Sequence, residues 1–140
     1  MKLSIRNRFD ATVESVTTGP AMTTVRTRLT SGPEITAAIT SDAATELSLA
    51  AGTAVQVLIK STEVSVAADP VGRVSIRNLL PGTVQSVDHG AAMTVVKIDL
   101  ADGGVLTSAI TSESAADLGL AVGMAVTALV KSTDVSIALA

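Results

Sequence analysis

Apolar and polar residues alternate along much of this chain. Across residues 21–30, Met22, Thr24, Arg26 and Arg28 alternate with Thr23, Val25, Thr27 and Leu29. A period of two in a β-branched run predicts a strand with one face turned inward. Residues 93–100 carry the same pattern. Ser31-Gly32-Pro33 and Asp102-Gly103-Gly104 then predict hairpin turns, with return strands over 34–39 and 105–110. The periodicity changes at Thr40-Ser41-Asp42 and at Thr111-Ser112-Glu113, where Thr or Ser is suited to an N-cap and an acid to the first turn of a short helix. Gly119 fits the end of the second helix. Residues 3–16 and 74–87 predict an opening strand, broken or bulged at Pro81-Gly82, because proline removes a ladder donor. Residues 54–66 and 125–137 predict one long closing strand in each half. Met22 and Met93 are expected to fill the core, and Arg26 and Arg28 to lie on the surface.

Each element occurs twice. Ser4-Ile5-Arg6-Asn7 returns as Ser75-Ile76-Arg77-Asn78, and Lys60-Ser61-Thr62 as Lys131-Ser132-Thr133, both at an offset of 71 residues. Residues 1–69 align without gaps to 72–140 with 34 identical pairs of 69. Such a repeat outranks length as a guide to organisation. It predicts a first domain at 1–68, a linker at 69–72 and a second domain at 73–140. Strands followed by one helix before the last strand suggest an all-β fold with one short helix per repeat, as two tandem OB-type Greek-key barrels. A small β-sandwich fits the same periodicity.

Composition narrows the picture. The 140 residues hold no cysteine and one histidine, His89, which replaces Thr18 of the first copy. Disulfides, thiolate zinc sites and a repeated histidine metal site are therefore excluded. Domains this small need a staple, and association between repeats or chains is the one left. Net charge is −3 and Phe9 is the sole aromatic, which argues against an OB-fold nucleic-acid binder stacking bases in a basic groove. The start of the chain has no apolar signal-peptide core, and no run is long enough for a membrane helix, so a cytoplasmic protein without a membrane partner is expected. No nucleophile–base–orienter set recurs, so no enzyme and no organic cofactor are expected.

The repeated polar segments are the candidate site. Ser4, Arg6, Asn7, Lys60, Ser61 and Thr62, with Ser75, Arg77, Asn78, Lys131, Ser132 and Thr133, are all donors. A tetrahedral dianion needs many converging donors and one or two positive charges. Glu63, if it lies in an alternating strand, shares the face of Ser61. A solvated strand edge is the plain alternative for each segment, and a structural oligomer in which these cations neutralise interface acids is another.

The order and spacing of these motifs resemble the molbindin family of molybdate-binding Mop domains. Ser-Ile-Arg-Asn is similar to that family's Ser-Ala-Arg-Asn opening. Thr12-Val13 and Gly82-Thr83-Val84 resemble its Gly-Thr-Val, and Lys60-Ser61-Thr62-Glu63-Val64 and Lys131-Ser132-Thr133-Asp134-Val135 its closing Lys-Ala-Ser-x-Val. The resemblance covers nearly the whole chain, twice. It implies a two-domain protein that stores molybdate or tungstate in the cytoplasm as a homotrimer, with oxyanions held between Mop domains. It also implies that Ser4, Arg6, Ser75 and Arg77 act from one domain, and that Lys60, Ser61, Lys131 and Ser132 arrive from another. Ile5 and Ile76 stand where the family has Ala. A sensor working through a partner is the alternative role.

Overall fold

The computed structural model describes all 140 residues. The first repeat runs β1 (Asn7–Thr18), β2 (Met22–Leu29), β3 (Glu34–Thr40), α1 (Ser41–Glu46), β4 (Ala54–Ile59) and β5 (Ser65–Ala67). The second runs β6 (Asn78–His89), β7 (Met93–Leu100), β8 (Val105–Thr111), α2 (Ser112–Leu118), β9 (Ala125–Val130) and β10 (Val135–Leu139). The fold is mostly β with one short helix per repeat, as expected. Its two sheets have five strands each, in the orders β10-β4-β1-β2-β3 and β5-β9-β6-β7-β8. All pairings are antiparallel.

The predicted hairpins form in the expected places. β2 alternates exposed and buried along its whole length, so Val25 and Leu29 enter the core and Arg26 and Arg28 face out. Met22 shares the parity of those arginines. It is 47% exposed and Met93 44% exposed, so the methionines are surface residues rather than core fillers. Thr40 caps α1, its Oγ1 accepting the Ala43 N–H at 3.2 Å, and Thr111 caps α2 in the same way through Ser114.

The opening strand differs from expectation. It begins at Asn7 and Asn78, so Ser4, Ile5 and Arg6 precede it. β6 runs through Pro81-Gly82 without a break. Proline fits because the β7 ladder starts one residue later, at Gly82↔Leu100, while the Pro81 carbonyl accepts the Ala101 N–H at 2.9 Å beyond the end of β7. The bulges fall instead at Glu14 and Gln85, where the register of both long strands slips.

The largest departure is at the closing segments. Neither is one strand. Ser61–Glu63 and Ser132–Asp134 form short 3₁₀ turns that end the barrel strand and redirect the chain. The strand after each turn then joins the other repeat: β5 pairs with β9 and β10 with β4. Val64 and Val135, just after the turns, are 1% and 2% exposed and belong to one continuous core cluster drawn from both repeats. The exchange supplies the staple that small repeats need. Residues 68–77 lie between β5 and β6 without helix or strand. No helix is long and apolar enough to cross a membrane.

Candidate functional site

Strand register builds the site. Asn7 pairs with Ile59 and Asn78 with Val130, each at the end of an antiparallel ladder. The residues before Asn7 and after Ile59 therefore leave the sheet side by side, and so do those around Asn78 and Val130. Ser75, Ile76 and Arg77 meet Lys131, Ser132 and Thr133 around an open cavity of about 230 Å³. In this cavity the opening and closing motifs are both those of the second repeat. The antiparallel pairing of β6 with β9 brings these two motifs of the second repeat together within one chain, while Ile5 and Lys60 share a cavity with Thr133 of the other repeat.

The serines of the closing motif are the chemically unusual residues. Ser61 Oγ and Ser132 Oγ are screened from solvent and have no hydrogen-bond partner. They are the two buried side-chain polar atoms so left, and they occupy equivalent places. A buried hydroxyl without a partner costs about 1–3 kcal/mol, and native proteins rarely leave one without a reason. Both lie in the first position of a 3₁₀ turn, directly after an exposed lysine in extended conformation. The turn also changes the relation of Glu63 to Ser61, since strand alternation does not apply there. Thr62 and Thr133 are exposed at the middle of the turns.

Asn7 and Asn78 are 2% and 3% exposed. Asn7 Nδ2 donates to the Thr107 carbonyl and its Oδ1 accepts the Thr107 N–H, both at 2.8 Å. Asn78 makes the same pair of bonds with Thr36, also at 2.8 Å. Each asparagine therefore clamps the backbone of the opposite repeat, and both ends of its amide are engaged. Arg6 Nε donates to the Ser4 carbonyl at 3.2 Å and Nη2 to the Leu3 carbonyl at 2.9 Å. Ser4, Arg6, Lys60, Ser75, Arg77 and Lys131 are exposed.

Other neighbours of the site were not evident from the sequence. Ile5, Leu58, Lys60, Glu63 and Ser136 share a second cavity, of about 150 Å³, with Thr133 and Asp134. Ser136 and Asp134 reach Lys60 only because β10 crosses to β4. Ser108 Oγ donates to the Val64 carbonyl at 2.6 Å, another bond between repeats, in a place where the first copy has Ala37.

A family model described as "TOBE domain" matches residues 3–66 and again 74–137. The chain belongs to the TOBE-domain family. The molybdenum-pterin-binding protein MopA of Rhodobacter capsulatus is 42% identical over 141 residues, which span 99% of this chain and 53% of MopA. The molybdenum transport protein ModE of Herbaspirillum seropedicae is 37% identical over 139 residues, 99% of this chain and 52% of ModE. The chain thus spans about half the length of the curated TOBE relatives it matches. Among solved structures, the cytoplasmic molybdate-binding protein ModG with molybdate bound superposes with a TM-score of 0.95. It is 35% identical, and the match covers 100% of both chains. The two-repeat architecture is therefore shared with ModG from end to end.

Proposed function

We propose that this chain binds molybdate reversibly at the ends of its two sheets and catalyses no reaction. The observation that carries this is the pair of buried, unpartnered hydroxyls, Ser61 Oγ and Ser132 Oγ, each directly after an exposed lysine, with Arg77 also lining the cavity of Ser132. A dianion with four acceptor oxygens satisfies such hydroxyls and is held by charge-assisted bonds from the cations. The full-length match to molybdate-bound ModG supports the choice of ligand. Tungstate, a tetrahedral dianion of nearly the same size, would satisfy the same donors.

Ser4, Arg6, Lys60 and Ser61 form one set of ligand donors, and Ser75, Arg77, Lys131 and Ser132 the other. Thr62 and Thr133 stand at the rim. Asn7 and Asn78 hold the opening motif in place through the opposite repeat. The role is storage or buffering of the oxyanion in the cytoplasm, by a homotrimer in which neighbouring chains close over sites left open in one chain. Sedimentation equilibrium should therefore give the mass of three 14.0 kDa chains.

Equilibrium dialysis against molybdate with elemental analysis tests the reading. Uptake of several molybdenum atoms per trimer at micromolar ligand is expected. In the double variant Arg6→Ala/Arg77→Ala uptake should fall at least about tenfold, given about 1.5–3 kcal/mol for each charged hydrogen bond removed. Its unfolding midpoint should stay close to that of the parent, because both arginines are exposed. Full uptake by the double variant would place the ligand elsewhere.

A further inference from the structure

Two consecutive residues of the second repeat reach both motifs of the first repeat's donor set. β8 is an edge strand, and the backbone of Thr107 is clamped by Asn7, directly after Arg6. The next residue, Ser108, is 0% exposed, and its Oγ donates to the Val64 carbonyl at 2.6 Å. Val64 directly follows the 3₁₀ turn of Ser61–Glu63. The bonds within that turn are Glu63 N–H to the Lys60 carbonyl at 2.9 Å and Val64 N–H to the Ser61 carbonyl at 3.3 Å, the longer one at the Val64 end. Ser61 Oγ makes no hydrogen bond, so no bond of its own fixes it and the backbone of the turn sets its place. The second repeat meets the same need differently. Asn78 clamps Thr36 in the same way, but Ala37 stands in the place of Ser108. There Val135 itself enters the sheet, opposite Ile59, whereas the ladder of the first copy starts one residue later, at Ser65↔Leu129.

We propose that Ser108 is a positioning residue for the oxyanion donors of the first repeat. It is fully buried and touches no ligand. By holding the Val64 carbonyl it fixes the end of the turn, and so the aim of Ser61 Oγ. With the Thr107 clamp it keeps Lys60 and Ser61 in register with Ser4 and Arg6. Donors held in place before the ligand arrives lose less freedom on binding. This rests on the molybdate-binding reading above and deepens it: a hydroxyl of the second repeat completes the support of the first repeat's donors, and the second repeat's donors have no such tie.

Equilibrium dialysis of the full chain against sodium molybdate tests the role, in backgrounds that each keep one of the two serines. In Ser132→Ala, adding Ser108→Ala should weaken the remaining binding at least about fivefold. In Ser61→Ala, adding Ser108→Ala should leave the dissociation constant within about twofold. The fold accommodates Ser108→Ala, because the first repeat has Ala37, equally buried, in that place. Thermal unfolding should show the same loss in both backgrounds, since the Val64 carbonyl loses its donor in each. A merely structural role would therefore weaken both bindings alike. Weakening that is equal in the two backgrounds, absent from both or confined to Ser61→Ala overturns the positioning role and leaves the binding reading intact. Loss of all uptake on changing either serine alone merges the donors into one site and overturns a role confined to one repeat. No molybdenum uptake by the parent overturns the binding reading as well.

Discussion

The ends of the two sheets and the outer faces of the two hairpins are built on the same backbone but treat sequence differently. At the sheet ends Ser4, Arg6, Asn7, Lys60, Ser61 and Thr62 all reappear unchanged in the second repeat. On the hairpin faces Glu14, Arg26, Arg28 and Glu34 become Gln85, Lys97, Asp99 and Val105. The first face is held by Arg26–Glu34 and Arg28–Glu34 ion pairs at 2.9 Å and Arg28–Glu14 at 3.5 Å. The second has only Gln85 Nε2 donating to Asp99 Oδ1 at 2.9 Å. Yet β2–β3 and β7–β8 pair in the same register. The hairpins therefore do not depend on those charges. The sheet ends cannot vary so freely, because part of what they bond is the backbone of the other repeat.

The sharpest way to break this comparison is at Asn7 and Asn78. Replacing either with Ala leaves a part-buried N–H and carbonyl unpaired, on Thr107 or Thr36. Each buried group left without a partner costs about 1–3 kcal/mol. Each single variant should lose about 2–4 kcal/mol in urea unfolding, and the double variant the most of any change considered. The two are reciprocal, so single losses that differ widely would show that the repeats are not clamped alike. A double variant with the parent midpoint would remove the clamps from the account of stability.

A middle-sized effect separates the helix ends. Both helices finish in a Schellman turn: Leu49 N–H bonds to Ala44 and Ser48 N–H to Thr45, matched by Leu120 to Ala115 and Gly119 to Ala116. The left-handed position holds Ser48 at φ 51 in the first copy and Gly119 at φ 62 in the second. A Cβ on Gly119 would touch nothing within 4 Å, so the difference is conformational. Ser48→Gly should stabilise the chain by about 0.5–1 kcal/mol and Gly119→Ser should destabilise it by a similar amount. Equal and opposite shifts in thermal midpoint are the expected result. Two shifts of the same sign would mean that the serine hydroxyl, not the backbone, decides.

Local features were legible in the sequence. Hairpins, caps and the left-handed turn at Gly119 depend on neighbours in the chain, and the site motifs announced themselves by recurring at one offset. The strand exchange was not legible in the same way. Ser65-Val66-Ala67 and Ser136-Ile137-Ala138 are so alike that each could pair with β4 or with β9, and an alignment of repeats is blind to which one does. The 3₁₀ turns did leave a trace. Val55, Val57 and Ile59, each 0% exposed, hold odd positions with Leu58 buried less completely at 7%, but Val64, 1% exposed, holds an even one. Val126, Ala128 and Val130 shift to Val135 in the same way. A strand cannot change parity without a break, and Lys-Ser-Thr is where the break falls. Sequence also showed Asn7 and Asn78 as donors, but a clamp on a backbone 100 residues away, as at Thr107, has no local signature.

The smallest effect belongs to the hairpin face. Glu34 accepts from both Arg26 and Arg28, and the three side chains are 37–59% exposed. Exposed pairs are screened by solvent and contribute about 0.2–1 kcal/mol each. Glu34→Val converts this face towards that of the second repeat, where Val105 stands in the same place. It should shift the urea midpoint only slightly, and the shift should shrink further in 1 M salt, where the screening length falls to about 3 Å. A loss as large as that at Asn7 or Asn78, or one that persisted in high salt, would mean that the first hairpin needs its charges after all. The two repeats would then hold one backbone by different means, and the freedom of the hairpin faces to vary would no longer follow.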